Sequence, residues 1–451
     1  MAVLGKSSTE IEESFKNGDI TVALFGLGKM GLPLAAVFAD KGAEVVGVDV
    51  DEEVVEKINA GVNHIEKEPG LDELVEENVS EGRLRATSDG VEAALEADIC
   101  VILVPTLTDE KGNVQLGPVE EVTEDIAEGL NEGDVVVTEA TMPPGTTESL
   151  VPVLEDSGLE LGEFGLGHAP ERTMTGTAVR DITGEYPKIV GGDSEETLEV
   201  LKGIYSVVND KGVIEMSDVI SAEAVKVFEG VYRDVNIGLA NELALYCEEK
   251  GVDALEVFEA SNTQPFCDIH EPGAGVGGHC IPVYPWFVMN QMEKDEPRLI
   301  STSRKLNDSM PYHVVDLVVR GLNEKELSVK GSVVLVLGLT FRGGVREFMK
   351  TPAEPVIEEL NGLGAEVHAY DPMCYEEDAE RYGAEWKEDF EGVDAVVILT
   401  DHEEFEKLDL GKVKKEMTGE LIVDGRNVLD REEVLNQGFK YLRVGDIRDI
   451  D

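Results

Sequence analysis

The sequence predicts an α/β protein: two Rossmann-like, doubly wound domains joined by a central helical domain. Three observations carry this prediction. Apolar strands alternate with helical stretches from Thr21 onward, the signature of parallel sheets wound on both faces. A stretch from about Asp218 to Gly251 then lacks strand signals and repeats its apolar residues at helical spacing. After Lys330 the strand rhythm returns. A chain of 451 residues is too long for one ordinary domain, which agrees with a division into two or three.

The elements follow in order. Thr21-Val-Ala-Leu-Phe25 is the first strand, followed at once by Gly26-Leu-Gly28-Lys-Met-Gly31 and a helical stretch through Asp40. Glu44 to Val48 is a second strand that ends at Asp49, and further strands are expected over Asp98 to Val104 and Asp134 to Glu139. In the strandless stretch, Val225, Phe228, Val231, Val235, Leu239, Leu243 and Tyr246 make one long helix suited to a subunit or domain contact. The second sheet draws on Val333 to Leu337, Glu366 to Tyr370 closing at Asp371-Pro372, Ala395 to Thr400, and Leu421 to Asp424. It repeats the rhythm of the first sheet but not its motif, since Gly338-Leu-Thr-Phe-Arg-Gly343 is no dinucleotide fingerprint.

Charge narrows the class of partner. There are 94 acids against 38 bases, a net charge of −56, spread along the chain rather than gathered in a tail. Apolar runs alternate with the acids, which a disordered acidic chain would lack. The excess points to a folded protein of a high-salt cytoplasm, where salt screens self-repulsion; a very acidic mesophilic enzyme is the alternative. Either way nonspecific binding to nucleic acid or anionic membrane is disfavoured. The first twenty residues carry no basic-then-apolar signal, and no run reaches the ~20 apolar residues of a membrane span. The cysteines, Cys100, Cys247, Cys267, Cys280 and Cys374, are odd in number and without CxxC spacing. They read as reduced cytoplasmic thiols with no metal site.

Gly26-x-Gly28-x-x-Gly31 has the context that gives such a motif meaning: a strand before, a helix after, an acid about 20 residues on. Gly26 serves the tight turn, Gly28 the approach of a pyrophosphate, and Gly31 the packing of helix on strand. Lys29 and Met30 lie within the same turn. The phosphates are expected at the helix N-terminus. Asp49 is placed to bind the adenosine ribose, and its charge favours NAD over NADP.

Pro272-Gly-Ala-Gly-Val-Gly-Gly-His-Cys280 is the second outstanding segment. Four glycines between Gly273 and Gly278 let backbone wrap closely on a ligand and present a thiol beside it. A single cysteine is more often inert packing than nucleophile. The glycine frame reverses that expectation for Cys280 alone.

The chain resembles the UDP-glucose/GDP-mannose dehydrogenases over nearly its whole length. The resemblance runs from Gly26–Gly31 through His64-Ile65, Glu68-Pro-Gly-Leu-Asp-Glu-Leu74, Gly82-Arg-Leu-Arg-Ala-Thr87 and Val104-Pro-Thr106. It continues with Pro143-Pro-Gly-Thr-Thr147, Ala169-Pro-Glu-Arg172, Arg233-Asp-Val-Asn-Ile237 and Asn241-Glu-Leu243. The cysteine loop, Asn307-Asp-Ser-Met-Pro311, Tyr370-Asp-Pro372 and Asp424-Gly-Arg-Asn-Val-Leu-Asp430 complete it. The family order implies an NAD-binding domain over 1–212, a central helical dimerisation domain with the cysteine loop over 213–328, and a UDP-sugar domain over 329–451. It also implies a homodimer or larger homo-oligomer.

What the resemblance implies chemically is a four-electron oxidation of a UDP-sugar at C6 through a thioester, using two NAD⁺. Cys280 matches the nucleophile, Lys226 the lysine that stabilises oxyanions, Glu171 the acid that activates water for hydrolysis, and Thr141 a threonine that positions a water. Thr106 and Thr141 fall among the cofactor contacts. Arg172, Lys226, Gly275, Gly277, Gly278, His279, Phe341, Arg342 and Arg426 fall among the substrate contacts; the arginines offer a fixed fork of donors. His64, the His279-Cys280 pair and Pro285-Trp286 look more like members acting on UDP-N-acetylhexosamines. UDP-N-acetylmannosamine comes first, then UDP-N-acetylglucosamine and UDP-glucose. The uronic acid product would feed surface polysaccharide or protein glycosylation.

Two positions depart from the family pattern. Gly230 stands where many members carry Asn, four residues after the lysine, and Tyr284 where they carry Asp, four after the cysteine. Gly343-Gly-Val-Arg346 replaces an acid-rich segment, which leaves the cofactor contacts there open. Two other classes therefore compete: a two-electron hydroxyacid dehydrogenase, which needs neither Cys280 nor a second nucleotide-binding sheet, and a nucleotide-sugar binding protein without turnover.

Overall fold

The computed structural model describes residues 2–109, 112–292, 294 and 297–449. The chain sorts into two compact units: residues 2–229 with Trp286–Gln291, and Gly230–Pro285 with 292–449.

The first unit is built on an eight-stranded sheet. Its order is Val213–Glu215, Lys188–Gly192, Gly165–His168, Val135–Thr138, Ile99–Ile102, Thr21–Phe25, Glu44–Val48 and Leu84–Thr87. All neighbours are parallel except Gly165–His168 against Lys188–Gly192. The apolar runs are continuous because both faces are buried. Val22 and Leu24 join a core on one face, while Ala23 and Phe25 join a second core on the other. Strand order reverses between Thr21–Phe25 and Ile99–Ile102, the crevice where doubly wound sheets receive nucleotides.

The second unit carries a six-stranded, wholly parallel sheet. Its order is Glu385–Trp386, Glu366–Tyr370, Val333–Leu337, Ala395–Ile398, Leu421–Asp424 and Lys440–Arg443. Val334 and Val336 face one core, Leu335 and Leu337 the other. The reversal here falls between Val333–Leu337 and Ala395–Ile398.

The expected long helix spans Val219–Lys250. Asp218 caps it by accepting the Ser221 N–H at 2.7 Å, and Gly251 leaves it in the left-handed region at φ +63. A second long helix, Arg298–Asn323, escaped the sequence reading because Pro311 lies inside it. Proline cannot donate to the carbonyl four residues back. Gly275 of the cysteine loop settles over this proline; a Cβ on it would lie 3.3 Å from Pro311 Cγ and 3.5 Å from the Asn307 carbonyl oxygen. Among the described residues no helix is long and apolar enough to cross a membrane.

Candidate active site

The first unit holds the cofactor fingerprint. Gly26 sits at φ +98, where a Cβ would come within 2.6 Å of the Leu103 carbonyl oxygen. A Cβ on Gly31 would collide with the Gly26 carbonyl. Nothing lies within 4 Å of a Cβ on Gly28, so the space above it is open. The following helix, Gly31–Asp40, has no acid in its first turn, and Met30 supplies no side-chain cap. The Leu32 and Leu34 N–H groups go to the Gly28 and Met30 carbonyls and Pro33 has none, so what the turn offers an anion is the open space over Gly28 and the positive end of the helix. Asp49 accepts the Leu27 N–H at 2.9 Å and the Asp51 N–H at 3.0 Å, which fixes its carboxylate beside the glycine turn. This cradle fits the diphosphate and ribose of NAD. His64 joins it: burial lowers its pKa while the Asp49 charge opposes that, and its Nδ1 is buried without a hydrogen-bond partner.

Beside the fingerprint, Thr106 Oγ1 donates to the Thr141 carbonyl at 2.7 Å. The ends of two adjacent strands bring Thr141 and Glu171 into neighbouring loops, with the Glu171 N–H on the Glu139 carbonyl at 3.1 Å. One Glu171 carboxylate oxygen accepts the Thr173 N–H at 2.5 Å. Lys226 is half-buried. One turn before it, the buried Glu223 carboxylate accepts the N–H groups of Gly145 and Thr147 and the Thr147 hydroxyl, at 2.5, 2.8 and 2.7 Å. Glu223 thereby ties the helix turn that carries Lys226 to the loop that follows Thr141, a role the sequence did not announce. Arg172 is held by Glu229 at 2.7 Å, by the Pro187 carbonyl at 3.1 Å and over the Tyr186 ring at 4.9 Å. Its guanidinium is thus engaged within its own unit.

The second unit builds the cysteine loop. A buried network anchors its start: Arg304 pairs with Asp234, the Asn307 amide donates to Asp234 at 2.9 Å, and Asn241 links Asn307 to the Gly273 N–H at 2.9 Å each. Backbone bonds continue the hold, Ala274 N–H to Gly425 O and Gly278 N–H to Met349 O, both 2.7 Å. Gly277 and Gly278 lie on the Phe341 ring; a Cβ on Gly278 would be 3.0 Å from Phe341 Cε2, and one on Gly277 would strike the Phe341 side chain. Arg426 reaches the Phe341 carbonyl at 3.5 Å and Asp401 at 3.6 Å. Arg342 sits 5.9 Å from the Phe341 ring. Gly275, Gly277, Gly278, Phe341, Arg342 and Arg426 are therefore gathered in one place, at the loop that ends in exposed His279 and Cys280. Arg346 is committed to Asp378 at 2.8 Å and buttresses the second sheet instead.

All five cysteines are free, and Cys280 is the exposed one. Burial pushes the thiols of Cys100, Cys247 and Cys374 up, which makes them inert. The two departures from the family pattern meet each other. A Cβ on Gly230 would lie 3.1 Å from Tyr284 Cγ and 3.2 Å from its Cβ. The buried tyrosine ring occupies the space that a side chain at 230 would need.

A dinucleotide cradle on one sheet, and a glycine loop ending in an exposed cysteine against the second, accord with an NAD-dependent nucleotide-sugar dehydrogenase. The chain belongs to the UDP-glucose/GDP-mannose dehydrogenase family: its NAD-binding domain matches over residues 20–209, its central domain over 220–309 and its UDP-binding domain over 335–431. A UDP-N-acetyl-D-mannosamine dehydrogenase of Pyrococcus horikoshii is 37% identical over 94% of this chain and 99% of its own length. The solved structure of UDP-D-ManNAc dehydrogenase from Pyrococcus horikoshii superposes with a TM-score of 0.86 at 34% identity, covering 95% of this chain and all of its own. An NDP-N-acetyl-D-galactosaminuronic acid dehydrogenase from Methanosarcina mazei gives 0.84 at 30% identity, over 97% of this chain and 98% of its own.

Proposed function

We propose that this enzyme oxidises C6 of UDP-N-acetylmannosamine to the carboxylate through a thioester on Cys280. UDP-N-acetylglucosamine and UDP-glucose are the next candidates. The observation that carries the reading is the single exposed thiol, set at the end of a glycine loop whose backbone is fixed on Gly425 and Met349. The substrate rests on the relatives named for UDP-N-acetyl-D-mannosamine.

Bound NAD⁺ accepts a hydride in each of two oxidations, one cofactor molecule per oxidation. The chain's own groups do the rest. The C6 alcohol becomes an aldehyde, and the Cys280 sulfur adds to it to give a thiohemiacetal. After the second oxidation a thioester remains. Water then adds to its carbonyl carbon, the C–S bond breaks, and Cys280 leaves as thiolate. In sum, one CH₂OH, two NAD⁺ and one water give one carboxylate, two NADH and three protons. Lys226 would stabilise the oxyanions on C6, since a cation there favours the charged transition state over the neutral ground state. Glu171 would take the proton of the attacking water, and Thr141 would hold a water beside it. Phe341, Arg342, Arg426 and the glycine backbone would seat the UDP-sugar.

In this reading residues 1–212, 213–328 and 329–451 serve as NAD-binding, central and UDP-sugar domains. The enzyme works as a homo-oligomer in a salt-rich cytoplasm. Tyr232, Leu239 and Tyr246 support the assembly: they recur every seven residues along the central helix and are about half exposed.

The test is stoichiometry. Purified enzyme with NAD⁺ and each of the three UDP-sugars at ~2 M KCl is expected to form two NADH per sugar oxidised on one of them. Cys280→Ser should lose at least ~10³-fold in turnover, because the acyl intermediate cannot form. One NADH per sugar would indicate a simple alcohol dehydrogenase. Tight UDP-sugar binding without NADH would indicate a binding protein.

A further inference from the structure

Glu171 does not stand alone in its buried surroundings. Lys188, on the antiparallel strand Lys188–Gly192, is largely buried, and its ammonium lies 3.9 Å from the Glu171 carboxylate. The same ammonium is 2.5 Å from the carboxylate of Glu139, which is wholly buried. It also lies 4.9 Å from the ring centre of Tyr205. The Tyr205 hydroxyl donates to the other oxygen of Glu139, so both oxygens of that carboxylate are occupied. One cation thus serves two carboxylates, and the second is locked in place from behind. A cavity of about 20 Å³ opens among Glu171, Arg172, Thr173, Tyr186, Lys188 and Tyr205, room for a single water.

We propose that Lys188 is a positioning residue for thioester hydrolysis: anchored by Glu139 and Tyr205, its ammonium fixes the Glu171 carboxylate against the water it activates. The proposal rests on the reading of Glu171 as the group that takes the water proton. In that step the water oxygen bonds to the acyl carbon, one proton passes to Glu171, and the C–S bond breaks to free the Cys280 thiolate. The other proton leaves as the acid ionises. Glu139 is assigned conformational support: it is wholly buried, and each of its oxygens already holds a partner, Lys188 on one and Tyr205 on the other. Burial raises its pKa, Lys188 opposes this, and the nearby Glu171 adds to it.

Rapid mixing of enzyme, NAD⁺ and the UDP-sugar it turns over separates the two halves of the reaction. Glu171→Gln sets the benchmark: a burst of two NADH per Cys280, then a stall with sugar covalently held, seen by intact-protein mass. Lys188→Met is expected to keep the burst within about 3-fold of wild type. Its steady-state turnover should fall about 10- to 100-fold, the cost of a misplaced catalytic group, with KM falling in step so that kcat/KM holds within about 3-fold. Lys188→Arg should recover most of that loss. Because Lys188→Met strands the Glu139 charge, the pair Lys188→Met/Glu139→Gln is measured beside it and should show the same split. A burst slowed as much as the steady state would make Lys188 merely structural, and an unchanged steady state would remove it from the reaction. Both overturn the proposal while Glu171→Gln still stalls. If Glu171→Gln accumulates no acyl-enzyme, the reading of Glu171 itself falls, and the proposal with it.

Discussion

At the residue scale, Gly230 and Tyr284 show one change written at two positions. Tyr284 is 6% exposed, and its ring covers the face of Gly230. Gly230→Asn should therefore destabilise the fold by about 1–3 kcal/mol through overpacking, although Asn is the better helix former by a few tenths. Tyr284→Asp empties a buried aromatic site and buries a carboxylate, at about 3–5 kcal/mol. The double variant should recover at least about 1 kcal/mol relative to the sum, as expected for residues in contact. Denaturant melts of the four proteins measure this, and strict additivity would refute the coupling. The sequence displayed both departures but not their contact, because residues 54 apart give no pairing signal (284 − 230). Cys280 was legible for the opposite reason, as its glycines announce it from adjacent positions. Glu139 reads only as the end of an expected strand, and Lys188, 49 residues on, falls in a strand the sequence did not announce.

At the scale of elements, the two sheets use one device with different ends. In the first, Asp49 at the end of the second strand holds the glycine turn through Leu27 and stays partly exposed, open to a ribose. In the second, Asp371 occupies the same place, fully buried, and one of its oxygens takes the N–H groups of Leu339 and Thr340, the Thr340 hydroxyl and His402 Nε2. Burial pushes that carboxyl up, but the His402 and backbone bonds outweigh it and bring it down to about 2. A carboxyl lowered in the folded state adds stability above its unfolded value of ~3.9 and loses it as pH falls through the folded one. Asp371→Asn should accordingly cost about 2–4 kcal/mol near neutral pH. The gap to wild type should hold down to about pH 4 and narrow as pH falls toward about 2, followed by urea melts across that range. A gap that ignores pH would refute the assignment. The strands and acids behind this symmetry were readable as apolar runs ending in Asp. Unread were Leu84–Thr87, Gly165–His168 and Lys188–Gly192, where Arg85 or glycines interrupt the apolar pattern, and the helix hidden by Pro311.

At the scale of the whole molecule, charge is the dominant unknown. With 94 acids and 38 bases, pairing every base would still leave 56 acids without a partner. Many of the observed pairs, such as Lys57 with Glu53 and Lys407 with Glu403, lie at the surface, where each contributes little. On the proposed salt-rich reading, the stability of the folded chain should depend on ions in solution more than on its own salt bridges. Screening lengths shrink from ~10 Å at 0.1 M to ~3 Å at 1 M, so most of the repulsion between neighbouring acids is removed within that interval. Tm should rise by about 10 °C or more between ~0.1 and ~2 M KCl, several kcal/mol at roughly 2–4 °C each for a domain of ordinary size. Pure screening saturates near ~1 M and is equal for KCl and NaCl. A continued rise above that, larger for sulfate, would add the exclusion of salt from the surface. Thermal melts in KCl, NaCl and a sulfate salt distinguish these outcomes, and a Tm indifferent to salt would leave the enzyme as an acidic mesophilic protein. The cysteine-loop anchor Asp234–Arg304, buried away from solvent ions, should be the part least changed. NAD affinity measured alongside should fall at low salt, because an acidic surface repels the cofactor's diphosphate when nothing screens it.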